Sequence, residues 1–212
     1  MPYRSSEKTR QKKDTKRTAM MQAAVHVFAE KGYHAATVRD VVRAAGVAIG
    51  TFYFYFPDKE TLFVHLYEET AQFLSQTIRQ AVNGRSQLPH QISAGLQAYL
   101  NIAEYEPAVV QLLLVGGIGA VPSLAAKRTE FRESLTTIWQ RALDLAQQQG
   151  HIPAQNTRRV AEALTGAYDE VVLNVIGDGS GEKEETAVEE MILFTLRAVG
   201  YRAETAVSAP RE

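Results

Sequence analysis

The residues best suited to chemistry are concentrated in one short segment, the aromatic run from Phe52 to Phe56. All five of its residues are aromatic, in a chain whose aromatic residues are nine Tyr, eight Phe and one Trp. A small helical domain cannot bury five large rings from a helix of two turns, so some rings must be exposed. Exposed tyrosines can bond phosphates, and an apolar ring edge can contact a thymine methyl in the major groove. The run is therefore a candidate contact surface for nucleic acid.

Helical geometry divides this segment into two faces. The side predicted to pack holds Ile49, Phe52, Tyr53 and Phe56. The side predicted to face outward holds Gly50, Thr51, Phe54 and Tyr55. Gly50 has no side chain and would allow close approach to the backbone. The alternative interpretation, a packed core with no further role, fits Phe52 and Phe56 best.

Short helices must position this segment. Thr37 can cap the start of a short helix, with Asp40 in the capping-box position. The apolar stripe of this helix is Val38, Val41, Val42 and Ala45. Gly46 ends that helix and begins a three-residue turn (46–48), after which the next helix runs from Ile49 to Phe56. Two short helices joined by such a turn indicate a helix-turn-helix over about residues 38–57.

Helical periodicity continues along most of the chain, without the alternation expected of strands. A first helix over about 14–31 has the stripe Met20, Ala23, Ala24, Val27 and Phe28, and Gly32 would end it. Later helices are predicted over about 58–82, 89–104, 107–116, 123–149, 157–176 and 182–199. The sequence therefore predicts an all-α fold, with an N-terminal three-helix helix-turn-helix domain and a C-terminal helical domain.

Composition and charge narrow the function classes. The 212 residues are 45% hydrophobic and 22% charged, which is ordinary for a globular protein and excludes intrinsic disorder. The net charge of −1 combines +5 over residues 1–66 with −6 over residues 67–212, so the basic front has a polyanion as its natural partner. The absence of cysteine excludes disulfide scaffolds, thiolate zinc sites and cysteine nucleophiles, and fits a cytoplasmic location.

Other site classes find little support. No catalytic residue, metal site or cofactor is predicted, because the pairs His26/Glu30 and His65/Glu69 have no third ligand nearby in sequence. The uncharged stretch from Pro107 to Ala126 contains three glycines and is interpreted as a buried helix that breaks, not as a membrane span.

From about Thr18 to Leu66 the chain resembles the DNA-binding region of the TetR family of transcriptional regulators. The resemblance rests on the run AAVHVFAEKGYHAATVRDVVRAAGVAIGTFYFYFPDKETLF. It implies that a set of residues contacts DNA: Thr37, Arg39, Gly50, Thr51, Tyr53, Phe54, Tyr55 and Lys59. Tyr53, Tyr55 and Lys59 would contact mainly phosphates. Two departures from the family pattern are Ala48, where Ser or Thr is usual, and Ile49, where a polar residue is frequent; the recognition helix therefore lacks a cap.

The acidic part of the chain is predicted to supply a homodimer interface and a ligand site. Small and apolar residues on the last two long helices are the interface candidates: Ala163, Leu164, Ala167, Val171, Val188, Met191 and Thr195. Amphipathic residues on apolar helices are candidates for binding an effector, with plain interior packing as the alternative: Tyr99, Tyr105, Trp139, Tyr168 and Asn174. The family resemblance implies a dimer made by the final two helices and an effector that acts through the fourth helix.

These observations predict four segments along the chain: a flexible basic leader (1–14), the DNA-binding domain (15–75), a ligand-binding and dimerisation domain (76–202) and a flexible tail (203–212), with the helix-turn-helix inside the second. The predicted function is a ligand-responsive regulator of transcription, a repressor that binds palindromic operator DNA as a dimer and is released by a small apolar or amphipathic effector. The alternative is a helical ligand-binding or membrane-peripheral protein without specific DNA recognition.

Overall fold

The computed structural model describes residues 7–117, 119–178 and 184–202. Within these ranges the chain forms nine α-helices and no strand, which confirms the predicted all-α fold. The helices are α1 (Glu7–Ala35), α2 (Val38–Ala44), α3 (Ile49–Tyr55), α4 (Lys59–Asn83), α5 (Leu88–Tyr105), α6 (Pro107–Leu114), α7 (Leu124–Gln148), α8 (Thr157–Asp178) and α9 (Glu184–Ala198). The predicted tail and the first six residues of the predicted leader lie outside the described residues.

Tertiary contacts group the chain into two units. One contains the residues up to Phe73 together with Ile102–Phe131, and the other contains Leu74–Asn101 and the residues from Arg132 onward. Helix α6 and the start of α7 therefore belong with the helix-turn-helix helices. The predicted boundary between a DNA-binding domain that ends at residue 75 and a ligand-binding and dimerisation domain that starts at residue 76 stays a prediction.

Helix α1 differs from its prediction at both ends. It begins at Glu7, so residues 7–14, predicted to be part of a flexible leader, are helical. Gly32 was predicted to end the helix, and its φ of 72° and ψ of 162° do interrupt it. The chain nevertheless continues in helical form to Ala35. Glycine suits this position because a positive φ is costly for other residues.

The core of the first unit lies where α1, α2, α3 and α4 meet. It is built from buried apolar side chains of these helices and of the C-cap of α3: Met20, Ala24, Phe28, Val41, Val42, Phe52, Phe56, Leu62, Phe63 and Leu66. Asp58 caps α4 by accepting a hydrogen bond from the Thr61 backbone N–H at 2.7 Å. The short helices α2 and α3 are thus held on a larger apolar surface than they could bury alone.

An aromatic cluster in the first unit packs against the loop after α6. The Phe63 ring lies 4.8 Å from the Phe28 ring and 5.0 Å from the Tyr33 ring, centroid to centroid. Gly117 has φ +68°, and a Cβ at this position would lie 2.6 Å from Cε1 of Phe63. The loop backbone therefore contacts the ring directly, in a place where only glycine fits.

The core of the second unit is aromatic and partly polar. The Trp139 ring packs edge-on against the Tyr168 ring at 4.9 Å, and the hydroxyls of Tyr168 and Thr195 form a hydrogen bond of 2.7 Å. Burial raises the pKa of Tyr168, so its hydroxyl stays neutral. The Tyr99 hydroxyl donates to the buried carboxylate of Asp169 at 3.0 Å. These polar groups satisfy one another inside apolar helices.

Candidate nucleic-acid interface

Helix α3 presents a different face from the one predicted. Phe52 and Phe56 are buried, as predicted, but Ile49 and Tyr53 are 45% and 56% exposed, and the Tyr53 ring contacts the Phe52 ring only edge-on, at 5.3 Å between centroids. Phe54 is 64% exposed, and a Cβ added at Gly50 would meet nothing within 4 Å. Thr51 and Tyr55, predicted to face outward, are partly buried. We call Ile49, Gly50, Tyr53 and Phe54 the outward face of α3.

The short length of α3 explains this correction. Phe52 and the C-cap residue Phe56 are the fully buried side chains of this segment, and Thr51 and Tyr55 are partly buried, so the fully buried stripe is narrow. Ile49, at the first position of the helix, extends beyond that stripe, although it is on the same side of an ideal helix. The outward face carries two aromatic rings, one aliphatic chain and an open backbone, which can enter a groove of DNA.

Helix α3 also starts without a cap. Ala48 occupies the N-cap position and makes no side-chain hydrogen bond to the helix, as predicted from the sequence. By contrast, the Thr37 hydroxyl accepts from the Asp40 backbone N–H at 3.2 Å, and the Thr37 N–H donates to the Asp40 carboxylate at 3.0 Å. This confirms the predicted capping box of α2.

Thr37 and Arg39 are both exposed at the start of α2. The Thr37 hydroxyl is engaged in the capping box, and it also donates to Asp40 at 2.7 Å. The guanidinium of Arg39 is on the accessible side of the same short helix, and Arg43 is exposed one turn later. The contacts of Thr37 and Arg39 with DNA stay predictions; their positions leave room for them.

The capping box gives the first unit a dependence on acidity. Lys31 Nζ donates to the Asp40 carboxylate at 2.8 Å, and this bond, with those from Thr37, holds the pKa of Asp40 well below its ordinary range. A carboxylate whose pKa is lower in the folded chain stabilises the fold above its unfolded pKa, and that stability is lost as the pH falls. When the pH drops below about 4, we expect the melting temperature of Asp40→Asn to fall less than that of the original chain.

Thermal unfolding followed by circular dichroism between neutral and acidic pH measures this effect. Lys31→Gln removes the largest cause of the lowered pKa and should reduce the acid loss in the same way. An acid transition identical in Asp40→Asn and the original chain would contradict the assignment.

Lys59 lies at the junction of α1 and α4 rather than on open surface. Its ammonium donates to the backbone oxygens of Tyr33 at 2.7 Å and Ala36 at 3.0 Å, and lies 4.3 Å from the centroid of the Tyr33 ring. These carbonyl groups at the end of α1 carry partial negative charge, which favours a cation. The structure thus gives Lys59 an internal role that the sequence analysis missed, and its predicted contact with a phosphate stays a prediction.

We expect Lys59→Ala to destabilise the first unit. Hydrogen bonds to charged groups contribute on the order of 1.5 kcal/mol or more, and the change removes two of them. The melting temperature should fall, and operator binding should weaken because the turn before α2 loosens. Thermal unfolding measures the first effect; an unchanged melting temperature would show that the ammonium does not hold this junction.

The residues predicted to bind an effector do not all come together. Tyr99, Trp139 and Tyr168 are buried in the core of the second unit. Tyr105 belongs to the other unit and is 76% exposed, and Asn174 is exposed on α8. The structure therefore places three of the five candidates in one buried cluster.

The predicted dimer residues are divided between interior and surface. Leu164, Val188 and Thr195 are buried inside the chain's own core, so these three side chains are not available to a partner. The others are partly or fully exposed: Ala163, Ala167, Val171 and Met191. Sequence reasoning missed Leu193 and Phe194, which are half-exposed on α9.

Metal binding and membrane insertion are two further possibilities for the described residues. Among them, no cluster of three or more His, Cys, Asp or Glu side chains could hold a metal ion. Over the same part of the chain, no helix has the length and hydrophobicity needed to cross a membrane.

Comparisons with known proteins agree with this architecture. Residues 20–66 match the family model of the bacterial regulatory proteins of the tetR family. The chain is 23% identical over 182 residues to the HTH-type transcriptional activator FasR of Mycolicibacterium smegmatis, covering 86% of this chain and 82% of the relative.

Solved structures give the same result for the fold. The fatty acid degradation regulator FadR from Bacillus halodurans is 24% identical, with a TM-score of 0.75 over 84% of this chain and 97% of that one. The transcriptional regulator FadR from Bacillus subtilis, solved in complex with stearoyl-CoA, is 20% identical, with a TM-score of 0.76 over 84% and 96% of the two chains. Residues 20–66 are therefore similar to the DNA-binding helix-turn-helix of the tetR family of bacterial regulatory proteins, and the chain shares the fold of solved transcription regulators.

Proposed function

We propose that this chain is a cytoplasmic, ligand-responsive repressor that binds palindromic operator DNA as a homodimer. The observation that carries the proposal is the outward face of α3, where Tyr53 and Phe54 are more exposed than buried. Large rings exposed together on a short helix indicate a surface that binds another molecule. The exposed Arg39 and Arg43 of the preceding helix supply the positive charge that a phosphate backbone requires.

A dimer is proposed because one helix-turn-helix contacts few base pairs, and two related half-sites are the usual solution. The second unit offers a surface for it on α9, where a groove is lined by Glu190, Leu193, Phe194, Arg197 and Ala198. Leu193 and Phe194 lie between the two charged residues of the groove. Glu190 is three positions before Leu193, and Arg197 is three positions after Phe194. Two antiparallel copies crossing at Leu193 and Phe194 would set each carboxylate near the other copy's guanidinium, as a two-fold interface requires.

This arrangement predicts the outcome of a charge swap. Arg197→Glu alone should raise the dissociation constant of the dimer at least about tenfold, because like charges then oppose each other across the interface. The double variant Glu190→Lys/Arg197→Glu should restore dimerisation. Sedimentation equilibrium measures both, and a single variant as dimeric as the original chain would contradict this charge pairing across α9.

The proposed effector is an amphipathic molecule with a long apolar chain, of the acyl-CoA class. Support comes from the fold shared with the Bacillus subtilis regulator solved with stearoyl-CoA. The buried polar groups of Tyr99, Thr165 and Asp169 in the second unit already bond within the chain, so the proposal depends on the shared fold. A site for such a ligand combines an apolar wall with a few polar groups.

Selection of bound fragments from random duplex DNA tests the proposed function. We expect a palindromic site that competes out random DNA in mobility-shift assays, with an affinity that falls steeply as salt rises. Binding to lipid vesicles without DNA specificity would instead favour a membrane-peripheral protein. Absence of any selected site would overturn the proposal.

The sign of regulation and the effector class are tested on the selected site. In transcription reactions, the protein should lower transcript from a promoter that carries the site, and stearoyl-CoA should restore it. An increase in transcript would show an activator, as the Mycolicibacterium smegmatis relative is named. Free stearate serves as the control for the acyl chain without the coenzyme.

A further inference from the structure

Helix α3 lacks the side chains that usually distinguish one base pair from another. Its seven residues are Ile, Gly, Thr, Phe, Tyr, Phe and Tyr, with no guanidinium, ammonium, amide or carboxylate group. Bidentate hydrogen bonds to guanine or adenine edges need such groups. The major-groove feature that matches aliphatic and aromatic side chains is the methyl group at C5 of a pyrimidine.

Ile49 is the residue of α3 best placed for this contact. It is the first residue of the helix, and the N-terminal residues of a recognition helix are those that contact base edges. Its aliphatic side chain is 45% exposed, whereas the other large side chains of the helix are aromatic. The following residue, Gly50, leaves open space where a Cβ would otherwise stand. A base edge can therefore approach Ile49 without meeting a side chain at the next position of α3.

Ile49 keeps apolar surface in contact with water at the start of α3. Phe52 and Phe56 are fully buried and Thr51 and Tyr55 are partly buried, whereas 45% of Ile49 is exposed. The exposed part of this branched aliphatic chain contributes nothing to folding. Burial against a methyl group in a DNA groove would remove apolar surface of both partners from water.

We propose that Ile49 is a specificity-determining residue that contacts the C5 methyl group of one pyrimidine in each operator half-site. This assignment rests on the proposed function of the chain. The methyl group belongs to thymine in unmodified DNA and to 5-methylcytosine in methylated DNA, and both present it at the same place in the major groove.

The effect of removing one methyl group follows from its burial. Loss of one buried carbon is expected to weaken binding about fourfold, which corresponds to about 0.8 kcal/mol. Because the dimer contacts two half-sites, removing the contacted methyl group from both should weaken binding about fifteenfold.

The test uses the duplex selected by the original chain. Each thymine in turn is replaced by deoxyuridine, which lacks only the methyl group, and affinity is measured by fluorescence anisotropy. The original chain should lose about fourfold at one position per half-site. Ile49→Ala should bind the thymine and deoxyuridine duplexes equally, while Ile49→Val should keep most of the difference. The ratio of the two affinities is compared within each variant, so a general weakening cancels.

A second arm distinguishes the two sources of the methyl group. The contacted T·A pair is replaced by C·G or by 5-methylcytosine·G. If 5-methylcytosine binds more tightly than cytosine, and Ile49→Ala abolishes this gain in affinity, the methyl group alone is recognised. If methylation of cytosine gives no gain while deoxyuridine still lowers the affinity, the contact is specific for thymine.

Three outcomes separate the inference from the proposed function. A specific operator with no loss at any deoxyuridine position overturns the methyl contact and leaves the regulator intact. A loss that persists unchanged in Ile49→Ala assigns the methyl contact to another residue and overturns the role of Ile49. Failure to select any specific duplex overturns the proposed function itself.

Discussion

Removing both exposed rings from α3, as Tyr53→Ala/Phe54→Ala, is expected to abolish specific operator binding while leaving the fold and the dimer unchanged. Both side chains lie mainly in solvent, so the core keeps its buried packing. Each of these rings should contribute about 1 kcal/mol to DNA binding, and a homodimer carries four of them. The affinity should therefore fall on the order of a thousandfold, as measured by anisotropy on the selected duplex.

The chain offers a matched control for this variant. Phe73 and Tyr105 are also one phenylalanine and one tyrosine, both largely exposed and both outside the helix-turn-helix. Phe73→Ala/Tyr105→Ala removes the same pair of aromatic side chains and should leave operator affinity unchanged. If both double variants bind the operator normally, α3 is not the element that enters the groove.

The second large effect concerns stability. Gly117→Ala places a Cβ 2.6 Å from Cε1 of Phe63, a ring held between Phe28 and Tyr33. Overpacking of this kind costs about 1–3 kcal/mol. A left-handed backbone adds about 1–2 kcal/mol for a residue with a Cβ. Together these terms are a large part of the stability of an ordinary domain, which is about 5–15 kcal/mol.

Gly119→Ala separates the two causes. Gly119 has a similar backbone, with φ +73°, but a Cβ there would meet nothing within 4 Å. It should show the backbone cost alone in urea unfolding, so the difference between the two variants measures the contact with Phe63. Equal losses would mean that the ring moves aside at no cost, and Gly117→Ala combined with Phe63→Leu should recover part of any difference.

The helices were predictable because their signals are local. The capping box of Thr37 and Asp40 needs only residues three positions apart, and the apolar stripes need only the helical period. The uncapped start of α3 follows from a single residue, Ala48. The buried pair Phe52 and Phe56 follows from their spacing of four.

The face of α3 was harder to predict because exposure depends on what covers a helix. Ile49 and Tyr53 are on the packing side by spacing, but the core does not extend far enough to cover them. Lys59 illustrates a second limit, because its partners Tyr33 and Ala36 are distant in sequence and a cation can equally bind a phosphate. No pattern in the sequence connects these positions.

Helix α9 shows a third limit. It is apolar on more than one side, and the stripe that includes Val188 and Thr195 was assigned to a partner molecule. In the structure that stripe fills the chain's own core, and Leu193 and Phe194 remain at the surface. Periodicity identifies an apolar stripe, but it does not say which neighbour the stripe meets.

The weak attachment of α3 has a consequence for how the regulator searches a genome. A seven-residue helix with no N-cap and few fully buried side chains should open locally at a lower free energy than α4, so its amide hydrogens should exchange earlier. We therefore expect α3, although helical in the free chain, to open transiently on unrelated sequence and to be stabilised most where the groove matches it. The free-energy cost of ordering α3 is then offset only at the matching site. This shortens the residence time on DNA but increases the fidelity of site recognition.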